Sequence, residues 1–466
     1  MSIKKYIGDK KFYATVLALA LPIMVQSGIT NFVSLLDNIM VGTLSTEDMS
    51  GVSIVNQFIF VFNLMIFGAN SAAGIFTAQY HGFRDIKGIR YTFRFKIFIN
   101  LVAGGLGILL FAIFGEALIT AFLHEGSAEG DLVRTLERGK TYLSVMLIGL
   151  LPYAISQVYA STMRETGHTV PPMIASIAAV ATNFVLNAVL IFGYLGAPAL
   201  GVSGAALATV ISRFVELVIL LIWGHTHPKE CPYLPGAYRS LHLPRNLFIQ
   251  IFQKGLPLMF NELFWSLSIT MRSQCYSLRG LDVVAAQNIN STIVNLFNVV
   301  YLSLGSSIAI VVGNQLGAGE IEKAKDSSRK MMAFSVTCAT AMGFILILVS
   351  KPFGMLYNTE ESVRSLAAFM IVISAIAMPF NAYAHGAYFT LRTGGKVMIT
   401  LLFDCVYMWT VVLPVAFLLS YGTALDIHWL FIVCQGIEAA KCLLGFIVLK
   451  KGNWAKQLVS DERLKT

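Results

Sequence analysis

The sequence predicts an all-α integral membrane protein: twelve transmembrane helices in two pseudo-symmetric six-helix bundles. Three observations carry that prediction: the composition, the length of the apolar blocks, and a repeat relating the two halves. Of 466 residues, 56% are hydrophobic and 13% charged, and the mean hydropathy is +0.70. A soluble domain carries about 25% charged residues. Many apolar blocks exceed about 20 residues, the length that crosses roughly 30 Å of hydrocarbon. Inside a bilayer the backbone has no water to bond, so such blocks fold as helices.

Charged or Gly/Pro-rich breaks delimit spans near 12–39, 52–78, 95–122, 141–162, 171–193, 202–224, 249–278, 284–312, 331–356, 365–390, 397–421 and 427–449. The first block is too long for a signal-peptide core and has no small-residue cleavage site behind it, so it reads as a retained span. Residues 1–224 are expected to form the N-terminal bundle and 249–466 the C-terminal one. Between them, 225–248 ("HTHPKECPYLPGAYRSLHLPRNLF") contains four prolines and reads as a cytoplasmic linker.

Orientation follows from Lys and Arg. With the N-terminus inside, the cytoplasmic segments, counting Lys96 and Lys254 at the inner ends of their spans, hold 25 of the 34, which makes the protein multi-pass in the cell membrane with both termini cytoplasmic. The net charge of +9 is thus mostly a topology signal. A nucleic-acid patch does not fit, because these cations are spread over seven segments without an aromatic platform. The six cysteines form no CxxC pair and read as packing residues, with neither a disulfide framework nor a zinc site.

The halves repeat. "LPIM" at 21–24 recurs as "LPLM" at 256–259, Pro22 precedes Gln79 by 57 residues, and Pro257 precedes Gln315 by 58. Pro152 to Arg164 is 12 residues and Pro379 to Arg392 is 13. Arg213 and Glu216 stand three apart in span six, as Glu438 and Lys441 do in span twelve. Six spans per half make the repeat parallel, a transporter plan that puts the site between the halves.

Charges in the spans are the functional candidates, since a carboxylate there costs about 2.5–3.5 kcal/mol on insertion scales. Asp37 follows 25 uncharged residues, Phe12 to Leu36. The i,i+3 pairs Arg213/Glu216 and Glu438/Lys441 can each neutralise themselves. Asp37, Glu262, Arg272 and Asp404 have no opposite charge one turn away. Arg272 sits at the repeat position of Asp37, 15 residues after its proline, and suits a counter-ion to Glu262 or Asp404. Amides and hydroxyls line single helical faces: Asn288, Ser291, Asn295 and Asn298 in span eight, Ser53, Asn56, Asn63 and Asn70 in span two, and Asn183 with Asn187 in span five. Such stripes either glue helices together or line a watery cavity, and beside lone carboxylates the cavity fits better. Pro22 and Pro257 free backbone groups and give spans one and seven a place to bend.

No phosphate loop, GxSxG or HExxH occurs, so the expected driving force is an ion gradient, with H⁺ or Na⁺ as coupling ion and no cofactor. "ALPIMVQ…LLDNIMVG", "NFVLNAVLIFG…GVSGAALAT", "GLPLMFNELFW", "VGNQLGAGEIEKA" and "LRTGG" together resemble the multidrug and toxic compound extrusion (MATE) family of secondary efflux transporters over nearly the whole length. The resemblance implies two six-helix bundles around a V-shaped cavity. It implies that Asp37 is the span-one Asp of cation coupling and that Pro22 is the proline about which that helix bends. Asn183 and Thr209 match partners in the family's N-terminal cation site. Asn187 stands where many relatives have Asp, which lowers the charge of that site. Glu262 matches the span-seven Glu of the C-terminal lobe. Asn381 occupies the position of a span-ten Asp in one branch, and Asp404 is the acid available to replace it.

The expected protein is therefore a cation-coupled antiporter, not an enzyme, that expels small amphipathic, often cationic, organic compounds. It touches membrane lipids, binds no nucleic acid and works as a monomer. Glu262, Asp404, Asn288, Asn295 and Arg272 are the expected substrate residues of the C-terminal lobe. A lipid-linked precursor flippase of related fold is the alternative in transport, but it calls for an arginine cluster where this chain has only Arg213 and Arg272. An intramembrane enzyme would need a nucleophile–base set or metal ligands, and the sequence shows none.

Overall fold

The computed structural model describes residues 5–460 except 43, 123–131, 241 and 358, and except the side chains of 33–39, 42, 46, 122 and 281. Among the described residues it contains helices and no strands. The long helices are α1 (Lys10–Gly42), α2 (Thr46–Gly82), α3 (Ile86–Phe122), α4 (Leu132–Glu165), α5 (Val170–Phe192), α6 (Val202–Thr226), α7 (Arg245–Ser277), α8 (Leu281–Gly317), α9 (Ile321–Gly354) and α10 (Glu361–Thr393). The last two are α11 (Val397–Gly422) and α12 (Ile427–Lys450). Eleven of these contain a stretch long and apolar enough to cross a membrane. The other, α7, is 33 residues long and carries Glu262, Arg272 and several amides.

The helices outrun the apolar blocks because hydropathy marks the membrane-facing part of a helix, not its end. Thus α2 begins at Thr46 with Glu47 and Asp48 in its first turn, where acids complement the helix dipole. Prolines punctuate the chain without always breaking it. Pro22 and Pro257 lie inside unbroken α1 and α7, whereas Pro171 and Pro172 open α5, where the missing N–H costs no hydrogen bond. Gly193 closes α5 in the left-handed conformation at φ 76°, turning the chain back toward α6. Within α11 the turns Leu402–Val406 and Met408–Val412 are π-helical. Pro414 follows the second of these, and its ring cannot accommodate the carbonyl of an ordinary preceding turn.

The chain divides into two compact units that do not coincide with the sequence halves. One contains Val25–Thr77 and Asp85–Ile251, and the other contains the chain up to Met24, Ala78–Arg84 and the chain from Phe252 onward. The core of the first, N-terminal unit includes Val55, Phe62, Ile66, Ile119, Met146 and Leu150. Part of the α2 amide stripe expected to line a cavity serves instead as helix glue. Asn70 and Asn100 exchange amide hydrogen bonds at 3.2 and 3.0 Å, and Tyr142 donates to Asn56 at 3.2 Å. Lys96 is fully buried, with Nζ 2.5 Å from Glu165, 3.0 Å from Ser161 and 3.2 Å from Thr162. The extra hydroxyls satisfy donors the carboxylate leaves over, a condition for holding a buried ion pair.

The proline-rich segment after α6 is folded against α3. Arg90 donates to the carbonyls of Tyr233 (3.1 Å) and Pro235 (2.7 Å). One turn on, Arg94 donates to those of Ala237 (2.7 Å), His242 (3.0 Å) and Gly236 (3.1 Å). Cys231, Tyr233, Leu234 and Ala237 are buried beneath them, and burial pushes the Cys231 thiol above its ordinary range.

In the second, C-terminal unit, Val16 and Ala20 of α1 pack with Leu304, Ile308, Met331 and Leu391. The last turn of α2 crosses α8 without side chains between them: a Cβ on Gly82 would strike the Asn314 carbonyl, and one on Gly317 that of Gln79. The Gln79 amide donates to Thr393 O (3.1 Å) and Lys456 O (3.2 Å) and accepts from Leu458 N (2.7 Å), tying the C-terminal segment to α2 and α10.

A thiol that is buried and kept protonated reacts slowly. At pH 7 Cys231 is expected to resist N-ethylmaleimide, and Arg90→Ala/Arg94→Ala to speed its labelling at least about tenfold by opening the segment locally. Peptide mass spectrometry of the alkylated protein reads the rate, and equal rates in both proteins would mean the carbonyl clamp does not hold the segment down.

Candidate functional site

In the C-terminal unit the charged side chains come together from α7, α10, α11 and α12. The first π turn of α11 carries Asp404. Lys441 Nζ lies 2.6 Å from Asp404 Oδ1, and Asn261 Nδ2 donates to Oδ2 at 3.1 Å. The same Asn261 amide reaches the Tyr388 hydroxyl at 3.5 Å. Tyr388 in turn donates to Glu262 Oε1 at 2.8 Å. The result is a bridge from Lys441 through Asp404, Asn261 and Tyr388 to Glu262. Arg392 lies over the rings of Tyr388 and Phe389, 5.8 and 5.5 Å from their centres.

Glu438 and Lys441 do not neutralise each other along α12. Glu438 binds Arg272 of α7, and Lys441 binds Asp404 of α11. Arg272 is therefore the counter-ion of Glu438, not of Glu262 or Asp404 as its isolation in sequence suggested. Residues three apart point the same way from α12, and each has an opposite charge from another helix closer than its own neighbour. Asp404 is fully engaged. Among the described residues Glu262 forms no ion pair; it accepts from the Tyr388 hydroxyl and feels the charge of Arg392. Asn288 and Asn295 lie on an exposed face of α8 outside this network. Asn290, one face away, is buried and accepts from Ser374 at 3.1 Å.

In the N-terminal unit the expected polar cluster is present on α5 and α6. Asn187 donates to Asn183 at 3.2 Å, Asn183 donates to Thr209 at 3.2 Å, and Thr209 back-bonds to the Ala205 carbonyl at 3.1 Å. Both asparagines are buried. α1 runs through Asp37, whose side chain lies outside the described residues. The i,i+3 pairing of Arg213 with Glu216 is not formed: Arg213 lies over the Tyr153 ring, 5.0 Å from its centre, and Glu216 accepts from Ser156 at 3.5 Å.

Sequence reasoning missed Asn261, Tyr388 and the Lys96–Glu165 pair. Asn261 stands beside Glu262 in "FNELFW", an available signal. Lys96 sits at the edge of an apolar block and reads as one more cytoplasmic cation.

Two repeats of long apolar helices, with charged side chains sequestered in pairs inside each unit, describe an integral-membrane transporter and not a soluble binding module. The MatE family model matches twice, over residues 22–189 and 257–418, so that each match begins at one of the two repeat prolines. The chain belongs to the MatE family, whose members are transporters, not enzymes. "Probable multidrug resistance protein NorM" of Thermotoga maritima is 25% identical over 455 residues, 96% of this chain and 94% of that one. "Multidrug and toxin extrusion protein 1" of Oryctolagus cuniculus is 25% identical over 447 residues, 94% of this chain and 75% of that one. A solved structure of "MATE in complex with MaL6" superposes with TM-score 0.84 at 19% identity, covering 97% of this chain and 98% of that one, a likeness of fold.

Breaking a buried pair by removing one partner costs about 3–5 kcal/mol, because the other charge is left alone. Arg272→Met is expected to destabilise the protein by that order, and the exchange Arg272→Glu/Glu438→Arg to restore most of the loss. Thermal unfolding of the three proteins in nanodiscs checks this; a double exchange no better than the single variant would show that the pair is not what holds α7 to α12.

Proposed function

We propose that this chain is a secondary active multidrug exporter, exchanging H⁺ or Na⁺ for small amphipathic, often cationic, organic compounds by alternating access. The observation that carries the reading is Glu262: a buried membrane carboxylate held by a tyrosine hydroxyl and without an ion pair among the described residues, whereas Asp404 and Glu438 nearby each pair with a cation. Arg392 acts on Glu262 across a distance and not as a bonded partner, so this acid can exchange a cation, and intramembrane acids mark such paths. The names of the relatives, multidrug resistance and multidrug extrusion, support the substrate class. The distribution of Lys and Arg supports a cytoplasmic-membrane protein with both termini inside.

We assign coupling to Asp37 with Asn183, Asn187 and Thr209 in the N-terminal unit, and bending of α1 to Pro22, with Pro257 its counterpart in α7. The coupling ion at this cluster is H⁺. Na⁺ prefers several hard oxygen ligands with net negative charge, and Asn187 withholds the second charge. At an effective dielectric near 20, a unit charge at 4 Å is worth about 4 kcal/mol before desolvation offsets it. A flippase is the weaker reading, since both intramembrane arginines outside the helix ends are occupied, Arg272 by Glu438 and Arg213 by Tyr153.

Efflux into inside-out vesicles under separately imposed ΔpH and ΔNa⁺ tests the reading. Asp37→Asn keeps the side chain's volume but cannot titrate. It is expected to lower gradient-driven efflux by about tenfold or more, or about 1.4 kcal/mol in barrier terms, with expression intact; wild-type rates would remove Asp37 from the mechanism.

Asn187→Asp is expected to raise the Na⁺ affinity of the cluster by about tenfold, the effect of about 1.4 kcal/mol. Saturable Na⁺-driven efflux in the wild type that Asn187→Asp leaves unchanged, with no response to ΔpH, would overturn the H⁺ assignment.

A further inference from the structure

The Asp404–Asn261–Tyr388–Glu262 bridge contains a loose end. Asn261 is 1% exposed, and its amide nitrogen is spent on Asp404 and Tyr388. Its carbonyl oxygen Oδ1 is buried with no hydrogen-bond partner among the described residues. A buried amide oxygen normally finds a donor, and one that does not calls for a cause. Around it the network offers the donor set of a hard-cation site: two carboxylates, a phenol oxygen and an amide oxygen. One of those carboxylates is already held by a cation that cannot leave the protein. Lys441 Nζ lies 2.6 Å from Asp404 Oδ1, with side-chain exposures of 8% and 13%. Of the other cations, Arg272 is committed to Glu438, and Arg392 lies over the Tyr388 ring and acts on Glu262 from there.

We propose that Lys441 is a tethered cation that sets the ion selectivity of the C-terminal unit. Its ammonium occupies Asp404 and so denies Na⁺ a two-carboxylate site made by Asp404, Glu262, Tyr388 and the free carbonyl of Asn261. With Lys441 in place, Glu262 and Asn261 offer a single carboxylate and an amide oxygen. That set suits a proton, or the ammonium group of an organic cation, better than a small metal ion that must shed its water. Without Lys441 the same residues gain a full negative charge and a second carboxylate. Asp404 is thus a positioned acceptor for Lys441 and not the substrate-binding acid that its place in span eleven suggested. The π turn that carries Asp404 aims it at α12.

The inference rests on the reading of Glu262 as an exchanging group, and its test is a binding measurement that does not require transport. The full-length protein, its Lys441→Met variant and the doubly neutral Lys441→Met/Asp404→Asn variant are placed in nanodiscs and their equilibrium binding of ²²Na⁺ is measured against choline. Replacing a buried pair by neutral groups is often tolerated, so the double variant serves as the folded reference. Lys441→Met is expected to bind ²²Na⁺ at least about tenfold more tightly than the wild type, and the double variant no better than the wild type. A folded Lys441→Met that gains no ²²Na⁺ affinity overturns the proposal. So does a wild type that binds more ²²Na⁺ than the double variant, because Asp404 would then be binding Na⁺ despite Lys441. That second comparison decides even if Lys441→Met does not fold. Failure of gradient-driven efflux would remove the exporter reading and leave these binding outcomes as they stand.

Discussion

An ionised side chain in hydrocarbon needs an opposite charge within reach, and this requirement fixes much of the C-terminal unit. α12 carries Glu438 and Lys441 on one face, and each is bound by a different helix, α7 through Arg272 and α11 through Asp404. Because the two charges differ in sign, rotating or sliding α12 would bring Glu438 toward Asp404 or Lys441 toward Arg272. Like charges in a low-dielectric interior repel by several kcal/mol. Apolar ridges alone would tolerate neighbouring registers of α12; these two pairs do not. The packing of α7 and α11, and with it the Asn261–Tyr388 bridge to Glu262, depends on that lock.

The repeat gives the two units a common frame with reversed polarity. Fifteen residues after its proline, one half has Asp37 and the other Arg272; span six reads Arg213 then Glu216, and span twelve Glu438 then Lys441. In the C-terminal unit the reversal produces a closed ion pair, Arg272 with Glu438, at the position where the other half carries its isolated acid. A guanidinium held that way has nothing to exchange. The duplicated position has therefore become structural in one copy, and the acid of that copy that has no ion pair among the described residues stands elsewhere on α7, at Glu262.

How much of this was legible in the sequence depended on the range of the interaction. Helix number, the repeat and its prolines were legible because they are local or periodic. So were Asn183 and Asn187, one turn apart on α5; Thr209, which joins them from α6, came only from the family resemblance. The partners of Asp404, Arg272 and Lys96 were not legible. Asp404 meets Lys441 across a helical hairpin, Arg272 meets Glu438 from 166 residues away, and neither separation has a period. Spacing suggested the wrong pairs, because an i,i+3 arrangement permits contact without requiring it. Arg90 and Arg94 misled differently: they are helix-end cations by topology, yet their work is to hold carbonyls of the segment after α6.

That segment, and the end of α2, bear on how such a chain could have arisen. A duplicated six-helix ancestor would have carried a core of its own, but the C-terminal half here is no longer self-sufficient. The C-terminal unit fills part of its core with Val16 and Ala20 from the start of the chain, and takes Gln79 as the peg for its own C-terminal segment. The stretch after α6, which would have been spare rope between two fused copies, is buried in the N-terminal unit through Tyr233 and Leu234. Splitting the gene after that stretch would strip the C-terminal core of Val16, Ala20 and Gln79. The dependence runs one way: the later half leans on pieces of the earlier one, and a gene carrying the later half alone would encode an incomplete core.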